Sequence, residues 1–534
     1  IKDNPNDGDG TDNACKAAEE DEKAPFAGEP YKDFEGTKFS DLLLRECLAV
    51  VRGRYFQECW RDRVAFQDRA GIPEKHFFPG KEVVKEWKKR GFGFLAIVSY
   101  GWLSKEHPDP EMYHLQRLVR AIRELKRAHG GEIGIILDFC SLWQRREDGE
   151  GNPARTEEQT AQFKEGLTEI NTPYGHEEVT AIRCSGVPED EPRGYDDRGW
   201  TLFESIIIDG KGSAPKGQTL GASGELNILT LGHDFDPEER KTSGVDFLRK
   251  YARGHRQPPL VPEAFDAEMR ARGERAKAKN VRLFTNGSDQ PFILDKYRAA
   301  FTELVKTTKF DFSSMNLGDA GAVKLAEVVA QCSELRELIL DHYNGVGDEG
   351  AAALAAALPA SRSLETLRLV RNKIRQAGAA ALASALEQSP SLRTLGLDSN
   401  EVGPAGAAAL ASSLEKNPGL TALWLESNGI GDAGATALAG ALEANHCLKA
   451  LRLGGNDIGL PGVTALATAL GANRSLKELG LSHNGIGDAG AQAMADALRT
   501  NRTLTNLNLS SGGLAFDGKA AVQSAWGSRG ILGV

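Results

Sequence analysis

The sequence predicts an α/β protein in two parts, a doubly wound parallel sheet over residues 31–300 and a solenoid of strand–helix units over residues 301–534. In the first part, apolar strand-like runs alternate with helical patterns, as in a parallel sheet covered on both faces. The second part repeats every 28 residues, and such units bury their apolar faces only by stacking. Residues 1–30 are polar and acidic, which predicts a disordered tail.

The first half contains four predicted strands with helices between them. The strands are 92–100, 133–139, 178–184 and 226–231, and the helices are 111–129, 156–171 and 198–208. Ligands of such sheets bind at the carboxyl ends of the strands, so Ser99, Tyr100 and Asp138 are candidate pocket residues. An aspartate at the end of a strand is also a common turn or helix cap, and for Asp138 this alternative stays open.

The helix "RGWTLFESIII" is apolar nearly all the way round, yet it contains a glutamate. At about 100° per residue, Thr201, Glu204 and Ser205 share one narrow sector, with Trp200 beside it. Glu204 either belongs to a thin solvated stripe or lines a pocket. The segment 209–224, rich in Gly, Lys and Ser, predicts a mobile loop next to it.

Each unit of the second half reads LxxLxLxxN and then changes to helical spacing, which predicts one strand and one helix. A corner asparagine can bond the backbone of its own turn and of the neighbouring one. These asparagines are Asn344, Asn372, Asn400, Asn428, Asn456 and Asn484. The stretch 288–306 precedes the first unit and is expected to cap it.

This pattern resembles the leucine-rich repeats of the ribonuclease-inhibitor type over residues 301–534. The resemblance implies a horseshoe of about eight 28-residue repeats with a C-terminal cap, strands on the concave side and a protein-binding role, although a rigid spacer stays open. Residues pointing into the concave face include Arg368, Trp424 and Arg452. Trp424 beside an arginine and next to a notch at Gly396 has the composition of a binding hot spot. Alternatively, Arg452 only stacks on the Trp424 ring within the chain.

Two further resemblances concern the N-terminal domain. "IVSYGWLS" followed by "GIILDFCSLWQ" resembles the heterokaryon-incompatibility domain of fungi, whose motifs read LSYxWG and WIDxxCIxQ. Tyr100, Trp102 and Asp138 stand near the matching places. Cys140 comes one residue early, and Gly101 precedes the tryptophan instead of following it.

The helix 198–208 resembles the WCLxEL helix of Toll/interleukin receptor (TIR) domains, with Trp200, Leu202 and Glu204 at matching positions. Thr201 replaces the cysteine and Ser205 the final leucine. The TIR and heterokaryon-incompatibility resemblances imply a flavodoxin-like sheet. The TIR resemblance also makes Glu204 a candidate catalytic residue, since in enzymatic members this glutamate acts in the cleavage of NAD.

The composition and the missing motifs argue against several other classes of function. A net charge of −10 argues against nucleic-acid binding, and the most apolar run, 93–103, is too short to insert across a membrane. Seven cysteines without zinc spacing indicate reduced thiols and no metal site. GxxxxGK[ST], GxSxG and HExxH motifs are absent.

The chain is expected to be soluble and intracellular. The cytoplasm is favoured, and an organelle stays open because the sequence begins at Ile1 rather than Met.

Three functions are consistent with these patterns. The leading hypothesis is a soluble interaction protein whose repeats capture a protein partner, while its TIR-like domain assembles or signals, with self-association possible. The second is a TIR-like NAD hydrolase regulated by its repeats, with NAD as substrate and no cofactor. The third is a structural docking subunit of a larger complex. Whether the chain is an enzyme stays open.

Overall fold

The computed structural model describes residues 38–534 except 105–106, 145–154, 171, 177, 210–226, 253–256 and 285–288. The predicted acidic tail lies outside the described residues, and so does the predicted loop at 209–224 apart from Asp209. Across the described ranges, no helix combines the length and apolarity needed to cross a membrane.

The N-terminal part alternates strands and helices along the chain. Its described strands are β1 Val50–Arg52, β2 Phe77–Phe78, β3 Leu95–Tyr100, β4 Gly134–Ile136, β5 Thr180–Cys184 and β6 Ile228–Thr230. Its described helices are α1 Lys38–Leu44, α2 Gly53–Asp62, α3 Gly80–Arg90, α4 Tyr113–His129, α5 Asp138–Ser141, α6 Glu157–Glu169, α7 Thr172–Gly175, α8 Gly199–Asp209, α9 Gly244–Tyr251, α10 Pro262–Ala278 and α11 Asp289–Leu304. Short 3₁₀ turns occupy Glu74–His76, Gly91–Gly93 and Tyr195–Asp197.

These strands form one sheet in the order β2-β1-β4-β3-β5-β6. The four strands predicted from the sequence, β3 to β6, are parallel to one another as expected. β1 pairs antiparallel with both β4 and β2, so the expectation of an all-parallel sheet is corrected at this edge. β1 and β2 are only three and two residues long, too short for a periodicity to reveal, and antiparallel edge strands on parallel sheets are common.

Helices cover both faces of this sheet, as its near-continuous apolar strands predict. All six residues of β3 are buried, and alternate residues enter different cores. Ile97 packs in the core that includes Phe203 of α8. Val98 packs in the core that includes Leu118 of α4 and Phe247 of α9. The carboxyl end of β3 therefore lies between two helical layers.

The second part is a stack of strand–helix units. Its strands are β7 Lys309–Asp311, β8 Glu337–Ile339, β9 Thr366–Arg368, β10 Thr394–Gly396, β11 Ala422–Trp424, β12 Ala450–Arg452, β13 Glu478–Gly480, β14 Asn506–Asn508 and β15 Ile531–Gly533. Its helices are α12 Gly318–Val329, α13 Asp348–Ala357, α14 Gln376–Leu386, α15 Gly403–Lys416, α16 Gly431–Ala444, α17 Leu460–Ala472, α18 Gly487–Thr500 and α19 Phe516–Trp526. The strands form one parallel sheet in sequence order, which is the predicted solenoid.

The corner asparagines bond two neighbouring units, as predicted. Asn428 Nδ2 donates to the carbonyl oxygen of Leu397 in the preceding unit at 2.9 Å and to that of Glu426 at 3.1 Å. Its Oδ1 accepts from the Val402 amide at 3.3 Å. Each corner therefore satisfies backbone groups that the strand ladder does not reach.

Two further ladders were not predicted. Buried asparagines after the helices bond backward to the preceding unit, as Asn445 Nδ2 does to the Leu414 carbonyl at 2.7 Å. The equivalent residues are Asn417, Asn473 and Asn501. Aspartates at the start of one helix accept amides from the next unit, as Asp432 Oδ1 does from Gly459 and Gly462. Both ladders fix the spacing between helices.

Helix α11 joins the two parts. Its Tyr297 ring stacks on Phe265 of α10 at 3.8 Å between centroids. Its Phe301 and Leu304 belong to the same core cluster as Phe310 of β7. The segment expected to cap the first unit is therefore a helix that packs in the core of both parts.

Candidate functional site

A cavity of about 380 Å³ opens in the N-terminal part. It is lined by Tyr100, Trp102, Asp138, Leu142, Gln144, Phe163, Leu167, Ile170, Tyr174, Arg193, Arg198, Trp200, Thr201, Glu204, Leu283, Phe284 and Asp289. Five of the six residues predicted from the sequence for this site are among them. The sixth, Ser99, lies directly behind Glu204.

Glu204 projects from α8 toward the end of β3. Ser99 Oγ donates to Glu204 Oε2 at 2.6 Å. Since that bond uses the serine proton, the Tyr195 hydroxyl, 2.5 Å from Ser99 Oγ, is the donor between those two groups. Ser205 Oγ donates in turn to Tyr195 Oη at 3.3 Å. A chain of hydroxyl groups therefore ends on the carboxyl group of Glu204.

The pKa of Glu204 is raised to about 8. Burial is the largest cause and the nearby carboxyl group of Asp138 adds to it, whereas hydrogen bonds from Ser99 and Tyr174 partly oppose the shift. The carboxyl group faces the cavity and is only partly exposed, so its charged form is poorly solvated there. At pH 7 Glu204 is therefore mostly a neutral acid.

Asp138 lies across the cavity at the start of α5. Its Oδ1 accepts from Tyr100 Oη at 2.6 Å and from the Phe139 amide at 2.6 Å. Its Oδ2 accepts from Trp102 Nε1 at 3.3 Å. Burial raises the pKa of Asp138, although these hydrogen bonds oppose that shift. Both alternatives left open for Asp138 are present, since it begins a helix and lines the pocket.

A third wall comes from two residues shortly before α11 and from the first residue of that helix, and the sequence did not predict these residues for the site. Leu283, Phe284 and Asp289 line the cavity, and Trp200 Nε1 donates to Asp289 Oδ2 at 3.0 Å. A Cβ atom at Gly199 would lie only 2.0 Å from Phe284 Cζ. The glycine at the start of α8 is therefore what allows the Phe284 ring to close this side.

Two arginines on the cavity wall were also missed. Arg193 Nη2 and Arg198 Nη1 both donate to the Trp102 carbonyl. Burial and the charge of Arg193 lower the pKa of Arg198 to about 10, so the Arg198 guanidinium group stays charged at neutral pH. Burial also lowers the pKa of Arg193. Within the described residues, no three His, Cys, Asp or Glu side chains are grouped to hold a metal ion.

On the repeats, the strand face is the surface formed by the outward side chains of β7 to β15. At its middle, the Arg452 guanidinium lies 4.9 Å from the Trp424 ring centroid, and that of Arg368 lies 5.8 Å away. Arg452 Nε donates to Glu478 Oε1 at 2.7 Å, and Arg368 forms an ion pair with buried Asp341. The alternative that Arg452 stacks on Trp424 within the chain is therefore present in the structure.

The notch expected at Gly396 is not open. A Cβ atom there would lie 3.2 Å from Trp424 Cε3 and 3.4 Å from Arg368 Cγ, so these two side chains close over the glycine. Trp424 is accordingly partly buried rather than fully exposed. The expectation of a notch beside a large exposed ring is corrected because the ring itself fills the space.

The family profile described as "Leucine Rich repeat" matches residues 331–355, 360–383, 388–411, 416–439, 444–467 and 472–495. These residues are leucine-rich repeats, and such repeats indicate a protein-interaction scaffold. No curated protein matches the chain.

Solved structures overlap parts of the chain. "Leiomodin-1 Actin-Binding Site 2 (ABS2)" is 20% identical, with 29% of this chain and 88% of that chain covered and a TM-score of 0.25. The tropomodulin C-terminal domain from Caenorhabditis elegans is 22% identical, with 28% and 90% covered and a TM-score of 0.25. The Rad7 and Elc1 complex in yeast is 14% identical, with 44% and 58% covered and a TM-score of 0.32. Similarities of this size carry no information about the function of this chain.

Proposed function

We propose that this chain is an interaction protein whose repeats capture a protein partner on the strand face, while the N-terminal domain assembles or signals. The observation that supports this most directly is the cluster of Arg368, Trp424 and Arg452 at the middle of one continuous parallel sheet. Aromatic and arginine side chains at the centre of a surface are the residues that carry most binding energy in protein interfaces.

The cluster is held in place before any partner arrives. Arg368 is fixed by Asp341 and Arg452 by Glu478, and both guanidinium groups flank the ring of Trp424. Side chains that are already ordered lose less conformational entropy on binding. The same contacts that hold the ring within the chain therefore favour its use as an anchor.

The test is to identify partners by affinity capture with the full chain and then measure their affinity for Trp424→Ala. We expect binding to weaken by about 2 kcal/mol or more, roughly thirtyfold, with little loss of stability. Phe516→Ala is the matched control, because Phe516 is 84% exposed and lies outside the strand face. Unchanged affinity of Trp424→Ala would place docking on the helices or the N-terminal domain instead.

A second candidate function is hydrolysis of NAD in the N-terminal cavity. It is favoured by the assembly of Glu204, Tyr100, Trp102, Asp138 and Trp200 around one space. The order β4-β3-β5-β6 also matches the arrangement of the first four strands in flavodoxin-like sheets. A resemblance to TIR domains implies a glutamate at this position.

In this reaction, the bond between the ribose and nicotinamide breaks and nicotinamide leaves with the electron pair. Water adds to the ribose carbon and gives up a proton. An ionised Glu204 would stabilise the positive charge on the ribose and bond its hydroxyl groups. Because Glu204 is mostly neutral at pH 7, the positive charge of the nicotinamide ring must favour its ionisation on binding.

Nicotinamide release from NAD by the purified chain tests this candidate, and the assay is repeated under forced clustering because the N-terminal domain is proposed to assemble or signal. Glu204→Gln should abolish release, whereas Glu263→Gln, on the exposed side of α10, should not. Nicotinamide release by the Glu204→Gln variant would show that Glu204 is not the catalytic residue. The absence of release under every condition would leave partner binding, or a purely structural docking role, as the function.

A further inference from the structure

The cavity in the N-terminal part has walls suited to a flat molecule. The aromatic rings that line it are Tyr100, Trp102, Phe163, Tyr174, Trp200 and Phe284. Its volume of about 380 Å³ lies in the range of small-molecule sites. Aromatic faces attract cations through their quadrupole, and the attraction is strongest for tryptophan.

Three carboxyl groups line this space, those of Asp138, Glu204 and Asp289. Among the described residues, no cationic side chain bonds Asp138 or Glu204, the two that influence each other's ionisation. The donors to Asp138 are the Tyr100 hydroxyl, the Trp102 indole and a backbone amide. The donors to Glu204 are the hydroxyl groups of Ser99 and Tyr174. All these donors are neutral, and in the described part of the chain neither carboxyl group forms an ion pair. Two such groups in one buried space cannot both ionise unless a positive charge joins them.

The arginines of the cavity wall do not supply that charge to the carboxyl groups. Arg193 donates to the carbonyl oxygens of Arg282 and Trp102. Arg198 donates to the carbonyl oxygens of Trp102 and Arg193 and to the side chain of Glu191. The remaining buried donor, Arg198 Nε, has no hydrogen-bond partner among the described residues. Neither guanidinium group therefore bonds Asp138 or Glu204, and a cationic ligand could do so.

We propose that the cavity binds a planar organic cation, and that Glu204 releases its proton when the cation enters. The proposal deepens the second candidate function because it concerns the same cavity. It requires no bond of the ligand to be cleaved, so it can be tested independently of NAD hydrolysis.

The proton release predicts how affinity depends on pH. Burial holds the pKa of Glu204 at about 8, so the ionised fraction rises from about one tenth at pH 7 to about nine tenths at pH 9. A cation that binds the ionised form should therefore bind about tenfold more tightly at pH 9 than at pH 7.

Other titratable and charged groups lie near Glu204. They are Tyr100 on β3, Asp138 on α5, Tyr174 on α7, Tyr195 on the 3₁₀ turn, Arg183 on β5 near Tyr195, and Arg193, Arg198 and Asp289 on the cavity wall. Burial raises the pKa values of Tyr174 and Tyr195 above the ordinary tyrosine range, so both stay neutral up to pH 9. A change between pH 7 and 9 is therefore assigned to the two adjacent carboxyl groups, and the Glu204→Gln variant shows whether Glu204 carries it.

The test compares two probes of the same size and shape, the cation N-methylquinolinium and the uncharged 1-methylnaphthalene. Their affinities for the full chain are measured by ligand-observed NMR at pH 7 and 9. We expect the cation to bind more tightly than the neutral probe, with about a tenfold gain from pH 7 to 9. The neutral probe should show no such gain. Calorimetry in buffers of different ionisation enthalpy should detect nearly one proton released per cation bound at pH 7.

Substitutions test whether Glu204 is the group that releases the proton. Glu204→Gln should bind the cation more weakly and lose the pH dependence, whereas Glu263→Gln should behave as the natural protein. Should Glu204→Gln fail to fold, the comparison of the two probes on the natural protein still decides. Equal affinity for both probes, or cation binding that does not change between pH 7 and 9, would overturn the proposal. Because N-methylquinolinium has no glycosidic bond, either outcome is independent of whether NAD is cleaved.

Discussion

Replacing Glu204 with glutamine should make the protein less sensitive to alkaline pH. The folded protein holds the pKa of Glu204 at about 8, against an ordinary value of 4.5, mainly because burial penalises the charged form. Between these two values the folded chain binds this proton and the unfolded chain does not. Stability therefore falls as pH rises through that window, and glutamine, which stays neutral, removes this loss.

The size of the effect follows from the shift. A displacement from 4.5 to about 8 corresponds to about 5 kcal/mol at most, at roughly 1.4 kcal/mol per pKa unit. Part of that loss is already present at pH 6. Between pH 6 and pH 9, Glu204→Gln should therefore gain roughly 3 kcal/mol of stability relative to the natural protein.

Urea denaturation followed by circular dichroism at pH 6 and pH 9 measures this difference. The comparison between variants cancels the contributions of the histidines and other groups that titrate in the same range. Glu263→Gln, on an exposed surface, serves as the control for the loss of one negative charge. If the natural protein and Glu204→Gln lose stability in parallel between pH 6 and 9, the inference that the folded protein keeps Glu204 protonated is refuted.

Three other predictions concern the framework around the sites. Gly199→Ala should displace Phe284, because the new Cβ would lie 2.0 Å from its ring, and should lower stability by about 1–3 kcal/mol in a thermal melt. Asn428→Ala should leave a buried repeat corner unsatisfied and cost about 1–3 kcal/mol in urea denaturation; an unchanged midpoint would argue against the ladder. Cys332 and Cys447 lie four units apart in the solenoid, well beyond the roughly 7 Å limit for a disulfide. Mass spectrometry of the oxidised monomer should find no crosslink between them, and finding one would contradict the stacking order.

The repeats were the most predictable part of the fold because each unit contacts mainly its neighbours. A leucine in one unit pairs with the equivalent leucine in the next, as Leu395 does with Leu423, so the sequence period is also the spatial period. The ladder that includes Asn417 and Asn445 also recurs every 28 residues. That signal was present in the sequence and could have been found with the same reasoning as the corner asparagines.

The N-terminal sheet was predictable only where its strands are long enough to show a pattern. β3 is six residues long and buried on both faces, which leaves a continuous apolar run. β1 and β2 are too short to leave one. Their antiparallel pairing is fixed by contacts between distant segments, such as Val51 with Phe77 and with Ile135, which no local pattern encodes.

The candidate pocket was likewise predictable only in part. Strand ends and one helix edge were enough to bring Tyr100, Asp138 and Glu204 together, because parallel strands end on one side of a sheet. The wall containing Phe284 could not be predicted, since a glycine such as Gly199 in an apolar helix indicates a close approach without saying by what.

The cavity wall that contains Phe284 and Asp289 also connects the cavity with the first repeat. Asp289, which accepts the indole proton of Trp200 at the cavity, is the first residue of α11. The same helix places Phe301 in the core of the first repeat, together with Phe310. Because one helix spans both contacts, a substitution that moves Asp289 acts on the cavity and on the cap of the solenoid together. Asp289→Asn preserves the shape of the side chain and its acceptor oxygen, so it should disturb this junction less than Asp289→Ala. Equal thermal midpoints for the two variants would show that the Trp200 contact does not hold the junction.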